Sequence, residues 1–165
     1  MKIAYLKFEG SENPNQALAD LAQDLLDAGW RVIGTTQTNI PRQDTHKCDM
    51  DVRLLPEGAV IRISQNLGPK SRGCQLDPDA LEQAVNETMA RMDQADILII
   101  NKFGKHEALG RGFRQAIADA MAKDIPVLVG TNALNLDAFM EFSEGVAQGL
   151  SADELAGWAK DVLAP

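Results

Sequence analysis

Cysteine is scarce in this chain: Cys48 and Cys74 are the only two. A pair of cysteines cannot make a disulfide framework for a domain of this length. The first residues also lack a basic segment followed by a long apolar one, so no secretory leader is expected. The expectation is a cytoplasmic protein with both thiols free. Aromatic residues make up 5% of the chain, with one Tyr and two Trp, too few for a platform that stacks single-stranded bases. Basic residues are outnumbered, 16 against 24 acids, for a net charge of −8. That field repels phosphate backbones and argues against a nucleic-acid partner. No apolar run approaches the ~18 residues of a membrane helix, so no membrane partner is expected. Only two histidines occur, His46 and His106. With Cys48 and Cys74 they match no zinc-ligand spacing, and structural or solvated roles are the expectation, with no metal site.

What is present is a domain-sized chain of 165 residues, 45% hydrophobic and 24% charged. A chain of this size forms one domain that buries about 68–70% of its unfolded surface. Residues 2–6 read as a strand. Asn13-Pro14 reads as the cap and first turn of a helix with Leu18, Leu21, Ala22, Leu25 and Leu26 on one face, stopped by Gly29. Residues 30–35 make a second strand, parallel to the first through a right-handed βαβ connection. The polar stretch 36–47 reads as a loop. Two β-like runs, 51–55 and 60–64, flank the turn Pro56-Glu57-Gly58 and predict a hairpin. Asp77-Pro78 opens a helix with Leu81, Ala84, Val85, Met89 and Met92 as its buried stripe.

The chain is organised around residues 95–114. Ile97-Leu98-Ile99-Ile100 reads as a strand buried on both faces. The loop after it carries Lys102, Lys105, His106, Arg111 and Arg114 against one acid, Glu107. A helix through Phe113, Ile117, Ala120 and Met121 follows, then a parallel strand at 125–129 that closes on Thr131-Asn132. A short helix at 136–142 and a last helix capped by Ser151 and Glu154 complete the chain. This order gives an α/β domain in three layers with a mostly parallel sheet and an inserted antiparallel hairpin at about 51–64.

Ligands of open α/β sheets sit beyond the carboxyl ends of the strands. Lys102, Lys105, His106, Arg111 and Arg114 are therefore candidates for an anion site. A second acid-free loop, Leu67-Gly68-Pro69-Lys70-Ser71-Arg72-Gly73-Cys74, adds Lys70, Ser71 and Arg72 as donors suited to a tetrahedral anion. Gly110 and Gly112 fit a backbone that must approach something closely. The first strand–helix turn, residues 8–14, stands where a phosphate loop would sit. It has one Gly, no Lys at the helix start and two carboxylates, so a capped helix explains it better than a triphosphate site. Lys102 at a strand end cannot ligate magnesium but can neutralise an oxyanion.

Cys48-Asp49-Met50, Ile63-Ser64-Gln65-Asn66-Leu67-Gly68, Ser71-Arg72-Gly73-Cys74-Gln75-Leu76-Asp77, Asn101-Lys102-Phe103-Gly104-Lys105-His106-Glu107 and Gly110-Arg111-Gly112-Phe113-Arg114 together resemble a bacterial family of unknown function. Its members are often encoded beside molybdate-transport or molybdenum-enzyme genes. That family is in turn similar to the small P-loop nucleoside triphosphatases of the cancer-related type. The resemblance implies a P-loop-like fold. Two departures bear on activity: the first loop lacks Gly-Lys-Thr, and Asn101-Lys102 replaces an Asp-Glu pair.

The reading that follows is a non-hydrolysing protein on a degenerate P-loop scaffold. It binds a small oxyanion or nucleotide phosphate, and the resemblance alone links it to molybdenum. The rival readings are a phosphoryl-transfer enzyme with altered motifs and an accessory module that docks a molybdenum enzyme. No cofactor is specified, catalytic residues are not assigned, and both a protein partner in molybdenum metabolism and a homo-oligomer are compatible with the sequence.

Overall fold

The computed structural model describes residues 2–8, 13–41, 48–65 and 75–164. The chain lays down β1 (Ile3–Phe8), α1 (Pro14–Asp27), β2 (Val32–Pro41), the hairpin β3 (Cys48–Leu55) and β4 (Val60–Arg62), and a small antiparallel pair, β5 (Ser64–Gln65) with β6 (Gln75–Leu76). It continues with α2 (Pro78–Ala90), β7 (Ile97–Phe103), α3 (Lys105–Ala108), α4 (Arg114–Ala122), β8 (Val127–Asn132), α5 (Ala133–Phe142), β9 (Gln148–Leu150) and α6 (Leu155–Leu163). The helix starts follow the expected chemistry. Asn13 Oδ1 accepts from Gln16 N at 3.2 Å, and Asp77 Oδ1 accepts from Asp79 N at 3.1 Å, each with proline in the first turn. Ser151 N donates to Glu154 Oε1 at 3.0 Å, one half of the predicted capping box.

The main sheet has seven strands in the order β4-β3-β2-β7-β8-β1-β9. The pairings β2–β7, β7–β8, β8–β1 and β1–β9 are parallel, and β3 and β4 extend the sheet antiparallel beyond β2. β1 and β2 are thus parallel, as expected, yet β7 and β8 lie between them.

The stretch 36–47 is not wholly a loop. Residues 36–41 prolong β2 and pair antiparallel with β3, from Thr36↔Arg53 to Pro41↔Cys48. Thr38, Asn39, Ile40 and Pro41 are exposed, so this arm is held by the backbone ladder of the hairpin and carries no apolar alternation to announce it. The last strand, β9, was also not anticipated, being a three-residue edge with only Leu150 buried.

Successive residues of β7 feed opposite layers. Ile97 and Ile99 pack with Leu18, Leu21, Leu155 and Trp158 of α1 and α6. Leu98 and Ile100 pack with Leu81, Val85, Ile117 and Phe139 of α2, α4 and α5. All four β7 residues are fully buried, which makes this strand the spine of both cores; each such side chain contributes about 1.5–3 kcal/mol of burial.

The alternation breaks after Ile100. Between the pairs Ile100↔Val129 and Phe103↔Thr131, β7 spends one residue more than β8. This bulge turns Phe103 into the layer of Phe139 and Phe142, with ring centroids 5.1 and 5.8 Å away. Without it Phe103 would fall on the face of Ile97 and Ile99.

Candidate functional site

The bulge also decides what Asn101 and Lys102 can do. Asn101 is buried. Its Oδ1 accepts from the backbone N–H of Gln37 at 3.1 Å, and its Nδ2 donates to Asn15 Oδ1 at 2.9 Å. One amide therefore ties the end of β7 to the prolonged arm of β2 and to the first turn of α1. An uncharged side chain with both a donor and an acceptor suits that position. Replacing Asn101 by Leu strands the Gln37 N–H, and thermal unfolding should register a loss of about 1–3 kcal/mol.

Beyond β7 the backbone is organised by the acid that the sequence reading left without a role. Glu107 is buried. Its Oε1 accepts from Gly104 N at 2.9 Å and its Oε2 from Phe113 N at 3.0 Å, so one carboxylate closes both ends of residues 104–113. Gly112, at φ +59°, sits against it: a Cβ there would lie 1.7 Å from Glu107 Oε2. The close approach expected of Gly112 is therefore to this carboxylate, and Gly110 at φ +90° has open space around it. The Gly104-x-x-Glu107 spacing, an N-cap position followed three residues later by Glu, was the signal available in the sequence.

Burial pushes the Glu107 carboxyl above its ordinary range, against the opposing pull of its backbone N–H donors. An acid whose folded pKa exceeds its unfolded value makes the folded state the stronger proton binder. Its stabilisation is complete below the unfolded value of about 4.3 and is lost as pH rises through the folded one. Chemical denaturation from pH 4 to 7 should therefore show the parent losing stability relative to Glu107→Gln.

Above this frame lies a cavity of about 250 Å³ between β7, the β2–β3 arm and α2. Apolar side chains form its walls: Val52 and Ile63 from the hairpin region, Leu81 from α2, and Phe113. Lys102, Lys105 and His106 line it as well. The Glu107 carboxyl lines it too, and His106 acts on it electrostatically. Among the described residues Lys102 and Lys105 carry no ion pair, whereas Arg31 pairs with Asp96 at 2.8 Å, Arg62 with Asp51 at 2.9 Å, Arg91 with Glu57 at 3.1 Å and Lys123 with Asp93 at 2.6 Å. In an acidic chain, two unpaired lysines on one cavity form a local anion trap.

The structure divides the predicted site residues. Lys102, Lys105 and His106 share the cavity. Arg111 is exposed and does not line it. Arg114, expected to face the same pocket, turns elsewhere: its guanidinium carbon lies 4.9 Å from the centre of the Phe142 ring, and Nη1 donates to the Glu107 carbonyl at 3.4 Å. Aromatic stacking in the α5 layer takes the side chain that sequence spacing had assigned to a ligand. Lys70, Ser71 and Arg72 lie outside the described residues, as do Glu9 to Glu12, His46 and Cys74.

Magnesium, which the P-loop fold suggests, does not fit the residues at the end of β7. The Asn101 amide is occupied on both sides by protein, and Lys102 is a cation. Among the described residues, moreover, no group of three or more His, Cys, Asp or Glu is placed to hold a metal.

A family model described as a protein of unknown function, DUF2478, matches residues 3–158. The chain belongs to the DUF2478 family. Over 163 residues it is also 34% identical to the molybdenum import ATP-binding protein ModC 2 of Bradyrhizobium diazoefficiens. That match takes in 97% of this DUF2478 chain but only 18% of the relative's length. Two solved structures have the same fold: a human cancer-related nucleoside triphosphatase (TM-score 0.69, 15% identity, 98% of this chain and 97% of that one) and THEP1 from Aquifex aeolicus (TM-score 0.70, 16% identity, the full length of both). The DUF2478 chain thus has the mostly parallel sheet and inserted hairpin of small P-loop nucleoside triphosphatases. No helix among its described residues is long and apolar enough to cross a membrane.

Proposed function

We propose that this protein binds a small anionic ligand, an oxyanion or a phosphate-bearing molecule, without hydrolysing it. The observation that carries the reading is that Lys102 and Lys105 line one cavity beside His106, and neither lysine has a carboxylate partner among the described residues. A lysine ammonium offers three donors to an oxyanion as a point charge. The committed amide of Asn101 and the charge of Lys102 remove the means of holding magnesium at the strand end, which supports binding over phosphoryl transfer.

Calorimetry with molybdate, sulfate, phosphate and ATP tests the reading. Binding of at least one of these anions is expected, weakened about tenfold or more in Lys102→Ala, the loss of one charge-assisted contact. Arg114→Ala is the control: stacking on Phe142 is worth about 0.5–1 kcal/mol, so the variant melts earlier yet binds as the parent does. No heat with any anion up to millimolar concentration overturns the reading. Incubation with ATP and magnesium should release no phosphate above blank; turnover lost in Lys102→Ala would instead establish the phosphoryl-transfer alternative.

A second reading, a module acting beside a molybdenum import ATPase, is favoured by one fact. A segment like this chain forms under a fifth of a molybdenum import ATP-binding protein, so in that relative it is joined to a much longer polypeptide. Arg111, exposed and outside the cavity, is the residue this reading employs. A salt-sensitive pull-down of such an ATPase, abolished by Arg111→Glu and unaffected by Lys102→Ala, would support docking over ligand binding. Capture that persists in Arg111→Glu would remove Arg111 from it.

A further inference from the structure

The walls of the same cavity say what kind of anion it takes, an inference that rests on the anion-binding reading above. We propose that the ligand held best is a flat organic anion, one or two rings bearing a single phosphate or carboxylate, with inorganic oxyanions held more weakly by the lysines alone.

Three features lead there. The first is the mixed lining of the cavity. Lys102, Lys105 and His106 line it, and Val52, Ile63, Leu81 and Phe113 supply apolar wall. Sulfate or molybdate is hydrated on every oxygen and gains nothing by touching valine, leucine or phenylalanine side chains. A ring joined to the acidic group does gain, because its faces leave water as the charge meets the lysines.

The second is size. A cavity of about 250 Å³ stands just below the ~300–1,000 Å³ usual for pockets that enclose a drug-sized ligand. That space suits a small ring system with one acidic substituent.

The third is Thr35. This residue of β2 is 1% exposed and lines the cavity. It pairs with Leu54 and Ile100, both of the α2–α4–α5 layer, so its side chain lies on the cavity side of the sheet. Its hydroxyl can both donate and accept, so it adds a polar group to that side of the cavity. It lies among apolar walls, where a ring heteroatom would reach it, whereas the charge of a small oxyanion is held by the lysines.

Probes that share a head group and differ in body separate the possibilities. Calorimetry would compare methyl phosphate, phenyl phosphate and 1-naphthyl phosphate on the intact chain, on Lys102→Ala and on Leu76→Gln, with melting curves to confirm that each variant folds. Leu76 is a half-buried wall residue, and its replacement removes apolar surface without adding charge. Affinity should rise from methyl to phenyl to naphthyl by about a hundredfold in all, from the ring surface removed from water. Lys102→Ala should weaken all three probes, and Leu76→Gln should compress the spread while leaving methyl phosphate unchanged. Equal affinity for the three, still dependent on Lys102, overturns the ring inference and leaves the anion reading standing. A spread untouched by Leu76→Gln and Lys102→Ala places the ring elsewhere and likewise overturns it. No binding of any probe, together with none of the inorganic anions, removes both.

Discussion

Glu107→Ala is expected to lower the unfolding free energy by about 2–4 kcal/mol. The carboxylate holds Gly104 N at 2.9 Å and Phe113 N at 3.0 Å. Alanine leaves both donors in a buried setting, where each unsatisfied group costs about 1–3 kcal/mol. Relief of the cost of burying a charge offsets part of this, since desolvation is the largest influence on the Glu107 carboxyl. At about 2–4 °C per kcal/mol for a domain of this size, the melting temperature should fall by roughly 5–15 °C. Anion binding should weaken with it, because Lys105 and His106 ride on the segment that Glu107 closes. A variant that melts within a degree of the parent would show that the two backbone donors find water instead.

Gly34→Ala should be more damaging still. Gly34 sits in β2 opposite Ile99 of β7, with φ +128°. A Cβ there would lie 1.8 Å from the Ile99 carbonyl oxygen, and that atom is backbone in the most buried strand of the sheet. Neither relief is cheap. Moving β2 away breaks the parallel ladder Val32↔Ile97 through Thr35↔Ile100, and changing φ alters the direction of the arm that carries Gln37. We expect a loss above about 4 kcal/mol, a range reached only by a few mechanisms of which backbone strain is one. Chemical denaturation, or failure to obtain folded protein, reads the result; a loss below about 1 kcal/mol would mean that β2 and β7 have room to separate.

The features legible in the sequence were those with a local chemical signature. The continuous apolar run 97–100 announced a strand buried on both faces, and Asn13-Pro14, Asp77-Pro78 and Ser151 with Glu154 announced helix starts. What escaped depended on pairing at a distance. Residues 36–41 are polar, and only the partner strand β3 makes them a strand. The β7 bulge is a mismatch of register with β8 and leaves no mark in the order of residues.

The candidate site was legible in part for the same reason. A basic stretch in an acidic chain pointed to Lys102, Lys105 and His106, which line one cavity. Spacing could not tell that Arg114 stacks on Phe142, a residue 28 positions away in sequence and on another helix. Nor could it show that Asn101, beside Lys102, is consumed by Gln37 and Asn15. In the order of residues Glu107 is no more than the one acid of that stretch. Its burial and its two backbone partners belong to the folded chain.

The claim on which the functional reading depends is that an anion comes to rest against Lys102. Crystals soaked in millimolar selenate, with anomalous scattering recorded at the selenium edge, address it directly. A peak is expected whose oxygens lie about 2.7–3.2 Å from Lys102 Nζ, with Lys105 or His106 as a second contact. Selenium found only at the amino end of α1, with Lys102 facing open water, would contradict it.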